Sequence, residues 1–127
     1  MTHTQDISLT VAAHLDSFLV GGVSLPYAEF EYRDDPVDEW LVYDIISDPD
    51  SCYYSGNRTA TTFRVQFTLY EKSDGTRLCT VPEALETYLI GLGYRAQGNR
   101  RRGYDTVTES SYWQKDYFYR ERRNIST

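Results

Sequence analysis

Residues able to carry out chemistry are scarce in this chain. It has 127 residues, of which two are histidine and two are cysteine. Cys52 and Cys79 stand far apart, with no Cys-x-x-Cys pair and no clustered histidine near them. A zinc site is therefore not expected, and reduced structural thiols are. No serine or cysteine lies in a nucleophile signature such as Gly-x-Ser-x-Gly, and two histidines leave few general bases. Neither catalysis nor a cofactor is expected on these grounds. No apolar run approaches membrane-spanning length, and the stretch Met1 to Asp6 does not read as a signal peptide. Use inside a cell is the expectation, so the glycosylation patterns at Asn57 and Asn124 are set aside. Internal repeats and low-complexity segments are lacking too.

Tyrosine, by contrast, is abundant, with 12 copies. Its large ring and polar tip suit wet sheet faces and interfaces, although strand propensity alone accounts for most of them. The size, 127 residues and 14.8 kDa, fits one domain over 1–127 with an ordered core spanning 7–122. Net charge is −6 and uneven. Met1–Tyr94 holds 15 acidic and 5 basic residues, a balance of −10, whereas Arg95–Thr127 holds 4 and 8, a balance of +4. Charge polarity of this kind can orient a partner, a second copy included.

The clearest element is Thr62–Lys72. Phe63, Val65, Phe67 and Leu69 alternate with polar residues and Tyr70, which predicts a central strand with one face on the core. Thr80-Val-Pro-Glu83 then has the spacing of a capping box, with Pro82 in the first turn. Val81, Ala84, Leu85, Tyr88, Leu89 and Leu92 follow at helical spacing, and Gly91 and Gly93 offer the stop. Leu85 and Leu89 are expected to cover the Phe63/Val65/Phe67/Leu69 face.

Upstream, Thr4 or Asp6 is a candidate cap for a first helix with Ile7, Val11, Leu15 and Phe18 on one face, ending at Gly21-Gly22. His14 is expected on its flank. Tyr27–Tyr32 reads as a short strand, Arg33–Glu39 as a charged loop, and Trp40–Ile46 as an interior strand apolar on both faces. Asp48–Arg58 reads as a turn. Downstream, Tyr94–Gln97 is a candidate short strand and Gly98–Gly103 a basic, glycine-bounded loop. Tyr104–Thr108 and Tyr112–Arg122 read as hairpin arms across Glu109–Ser111. The order implies an α+β fold, a mostly antiparallel β-sheet with two α-helices on one face.

Two charged groups are candidate sites. Asp34, Asp35, Asp38 and Glu39 lack the spacing of a calcium loop, so a solvated loop is favoured and no metal is expected. Arg100, Arg101 and Arg102 suit anions, but the run has no phosphate-loop pattern. With a sequence pI near 4.8 the chain is not expected to bind DNA tightly. Aromatics in Tyr112-Trp113 and Tyr117-Phe-Tyr119 read as hairpin residues packed on a core or a neighbouring subunit.

The succession of a helix, a Tyr-containing strand, Trp40-Leu-Val-Tyr-Asp44, Gly56 and the strand Thr62–Lys72 has a familiar order. It continues with a helix ending Leu89-Ile-Gly-Leu-Gly-Tyr94, then Tyr104-Asp105 and Tyr112-Trp-Gln-Lys-Asp-Tyr-Phe-Tyr119. This order of elements, over Ile7 to Arg122, resembles the tail-terminator (tail-completion) proteins of tailed bacteriophages and prophages. The resemblance implies a structural virion protein, not an enzyme, that forms a homo-hexameric ring. The ring would cap the tail tube protein's polymer, end its growth and offer a surface to the head–tail connector protein. It would be assembled in the bacterial cytoplasm and end in the virion tail, with DNA passing through without tight binding and no membrane involved. In such a ring, Arg100, Arg101 and Arg102 are expected on a mobile loop at a subunit edge. Their expected partners are a neighbour's Asp34, Asp35, Asp38 and Glu39. Alternatives are a ring-forming connector or stopper protein or, in another class, a small-ligand binding domain or enzyme with a pocket between sheet and helices.

Overall fold

The computed structural model describes residues 3–29, 38–46, 60–72, 78 and 80–122. In chain order its elements are α1 (His3–Asp16), β1 (Leu19–Val20), β2 (Val23–Ser24), β3 (Tyr27–Glu29), β4 (Glu39–Ile45), β5 (Ala60–Glu71), α2 (Val81–Gly91), β6 (Tyr94–Asp105) and β7 (Ser110–Arg122). Phe30–Tyr32, Asp34, Asp35, Asp48–Arg58, both cysteines and Asn124 lie outside the described residues.

The alternating strand is the middle of the sheet. β5 pairs antiparallel with β4 on one side and β7 on the other, in the order β3-β4-β5-β7-β6. β3 runs parallel to β4 and β6 antiparallel to β7, so the sheet is mixed and mostly antiparallel. Because side chains alternate along a strand, Phe63, Val65, Phe67 and Leu69 share one face with Leu41 and Tyr43 of β4 and with Trp113 and Tyr117 of β7, all buried in one cluster. Ile7, Val11 and Leu15 of α1 and Val81, Leu85 and Leu89 of α2 close the same cluster. Both helices thus cover one face, and Leu85 and Leu89 are fully buried there. Burying a leucine side chain is worth about 1.5–3 kcal/mol, which makes these two stripes the main reason α2 holds its place.

Several local expectations are corrected. α1 ends at Asp16, where Ser17 and Phe18 donate to the carbonyls of His14 and Leu15. Gly21 and Gly22, at φ +60° and +83°, instead make a two-residue turn between β1 and β2. That geometry needs positive φ at both central positions, which glycine supplies without strain. α1 has already begun at His3, so Thr4 and Asp6 lie inside it rather than capping it.

The capping box does not form either. Thr80 has helical backbone angles and makes no side-chain cap bond, because only an extended cap residue aims its hydroxyl at the first-turn amides. Finally, Gly98–Gly103 is not a loop and Tyr104 does not start a strand. The two candidate strands and the residues between them form one strand, β6, twelve residues long, and the turn covers Thr106–Glu109.

Candidate functional site

The face of the sheet away from the helices carries the even-numbered residues of β5 and β7, and they are chemically sorted into rows. One row is aromatic. Trp40, Tyr70 and Tyr112 are aligned across β4, β5 and β7. Trp40 stacks on Tyr70 at 5.1 Å with nearly parallel rings, and Tyr70 meets Tyr112 at 6.2 Å. The row ends at Gly103 of β6, whose Cβ, were there one, would sit 2.7 Å from the Tyr112 hydroxyl. Only glycine lets that ring lie against the edge strand.

The next two rows are polar. Asp116 of β7 is buried and accepts from Arg64 Nε at 3.0 Å and Nη2 at 2.5 Å, from Gln66 Nε2 at 3.0 Å and from Arg101 Nη2 at 2.9 Å. Arg101 Nε also donates to Gln114 Oε1 at 2.8 Å, and Gln114 Nε2 donates to Thr68 Oγ1 at 3.0 Å. Burial alone would raise the Asp116 pKa, but the bonds from Arg64, Gln66 and Arg101 outweigh it and hold the carboxyl below its usual value. The network ties β5, β7 and β6 together through one carboxylate.

Arg101 reaches Asp116 because β6 is irregular just before it. Gln97 pairs with Asp116 and Arg101 with Gln114, so Gly98, Asn99 and Arg100 lie opposite Lys115 alone. Gly98 takes φ +73° at this bulge, a conformation open to glycine.

The predicted charged groups are thereby placed apart. Arg100, Arg101 and Arg102 lie within edge strand β6 and are exposed, although Arg101 is engaged as described. The expected mobile loop is corrected to strand, since Gly98 serves the bulge and Gly103 makes room for Tyr112. Asp38 is exposed and Glu39 opens β4, on the other side of β5 and β7. The arginine run and these two acids therefore do not meet within the chain. Asp34 and Asp35 lie outside the described residues. The Arg64–Gln66–Gln114–Asp116 network escaped sequence reasoning. Its signal was the polar half of each alternating strand, which becomes a site only once the register is known.

On the helix side, His14 Nδ1 lies 2.8 Å from the Tyr94 hydroxyl, and Tyr88 donates to the His14 carbonyl at 2.6 Å. Burial lowers the His14 pKa and so favours the neutral ring, and the residue sits on the flank of α1 as expected. Lys115 Nζ and the Tyr117 hydroxyl both donate to Glu86 Oε1, at 2.7 and 3.0 Å. The Lys115 bond, opposed by burial and helped by Tyr117, holds Glu86 below its usual value. Among the described residues, no three His, Cys, Asp or Glu side chains group as metal ligands, and no helix is long and apolar enough to cross a membrane.

No family model matches the chain, and no curated protein matches it.

Proposed function

We propose that the chain is a structural subunit that assembles into a ring through two unlike edges of its sheet, and that the ring caps a phage tail tube. The observation carrying this reading is the separation of charge across the strand order. Arg100 and Arg102 stand exposed on the outer strand β6, while Asp38 and Glu39 stand beyond β5 and β7 toward the opposite edge. A ring needs heterologous contacts, one edge of a subunit meeting a different edge of the next. An arginine-bearing edge strand and the acidic start of β4 on the far side of the sheet, one strand in from the β3 edge, are complementary in that sense. The tail-terminator role rests on the resemblance in the order of elements, and with it the tail tube and connector as partners.

The test uses Arg100→Glu combined with Arg102→Glu and leaves Arg101 in place, since Arg101 holds Asp116 within the subunit. Exposed ion pairs are worth only about 0–1 kcal/mol each, so the charge reversals act together. Sedimentation should show weaker assembly for the double variant, with a larger deficit at low salt, where screening fades. Capture by purified tail tubes should fall in parallel. Unchanged assembly and tube capture at both salt levels would refute the reading.

A further inference from the structure

The aromatic row borders a cavity of about 320 Å³ on the open face. Thr68, Tyr70, Tyr112 and Gln114 form its floor and rear wall. The end of β6 and the following turn supply Tyr104, Asp105 and Thr106. Thr68, Tyr70, Thr106 and Tyr112 carry a hydroxyl and Asp105 a carboxylate, none is a lysine or arginine, and Tyr104 pairs with Ser111 on the helix-facing side.

We propose that this cavity binds a pyranose sugar. The volume is at the lower end for ligand sites and suits one six-membered ring better than a larger molecule. Tyr70 is stacked on Trp40 and Tyr112 lies against Gly103, so what these two tyrosines offer a sugar is ring edge and hydroxyl. Sugar hydroxyls both donate and accept, and the wall answers with groups of both kinds. Thr68 Oγ1 accepts from Gln114, which leaves its own proton to donate outward. Asp105 Oδ1 accepts from the Val107 amide at 2.9 Å. That bond fixes the carboxylate while its second oxygen can take a ligand hydroxyl. Gly103 sets the wall, since a side chain there would push the Tyr112 ring off its seat.

Other ligand classes fit less well. A phosphate or carboxylate ligand would meet no cation in the lining and one carboxylate. An organic cation would find Asp105 but no open ring face to stack on, since Tyr70 is stacked on Trp40 and Tyr112 lies against Gly103. The inference does not depend on ring formation.

The experiment is a two-dimensional NMR titration of the full chain with methyl glucoside, methyl galactoside and N-acetylglucosamine, and with a trisaccharide of the residue that binds. At least one sugar should shift the signals of Tyr70, Asp105 and Tyr112 saturably. Asp105→Asn should weaken binding about tenfold, the effect of losing one good hydrogen bond to a charged group. Gly103→Val should abolish it. Tighter binding of the trisaccharide supports the end of a glycan as the source, and equal binding supports a single residue or free sugar. The proposal is overturned if no sugar shifts these signals, or if Asp105→Asn binds as well as wild type. It is likewise overturned if tetramethylammonium or arginine methyl ester binds there more tightly than every sugar.

Discussion

At the scale of single residues, Asp116 concentrates more of the open face than any neighbour. It is buried, yet two half-exposed guanidinium groups and an amide converge on it. Removing its charge with Asp116→Asn should cost about 1.5–3 kcal/mol in a urea titration, the range for hydrogen bonds to charged groups. The pH dependence has a definite sign. A carboxyl held below its unfolded value adds stability above that unfolded value, near 3.9 for aspartate, and loses it as pH falls through the lower folded value. The variant should therefore show a shallower acid-side loss of stability than wild type. His14 adds a second component at higher pH. Its lowered value means stability present above the ordinary histidine value, near 6.5, and lost as pH falls through the folded value. Replacing it with glutamine should flatten stability over that window.

At the scale of elements, α2 is held by its leucines. Leu89→Ala should cost about 2–5 kcal/mol by denaturant titration, because Leu89 is fully buried against the central strand. A loss of about 0.5 kcal/mol or less would place it on the surface instead. This contact was legible in the sequence. A period-2 apolar face followed by a helical stripe leaves few other arrangements, and the same reasoning found the interior β4. The edge strand was not legible, since Gly98 and Gly103 around three arginines carry the local signature of a turn. Their actual duties, a bulge and a seat for Tyr112, depend on pairing with β7, which no local pattern encodes. Thr80-Val-Pro-Glu83 misled in the same way, its spacing being right while the Thr80 backbone is helical. For the candidate site, the arginines and acids were visible as charges, whereas the carboxylate that binds Arg101 was hidden in an ordinary strand.

At the scale of the whole molecule, the charge is uneven along the chain. The segment with a balance of +4 supplies β7 and all of β6 but Tyr94, and the segment with −10 supplies both helices and all the remaining strands. Association between such unlike sides repeats head to tail, and whether it closes depends on the rotation each contact imposes. The bulge in β6 also governs how the chain tolerates changes in its own length. Two spare residues are stored between Gln97 and Arg101, at a point where the lattice of pairings already gives way. Deleting Asn99 draws on that store and should leave the Arg101–Asp116 pair and the fold in place. Deleting Arg102 can draw on that store only by moving Arg101. Either Tyr104 is pulled beneath the Tyr112 ring, where its Cβ has no room, or Arg101 slides away from Gln114. Melting the two deletion variants side by side should show the first close to wild type and the second well below it. A length change is absorbed at one point of this edge and felt across three strands a few residues further on.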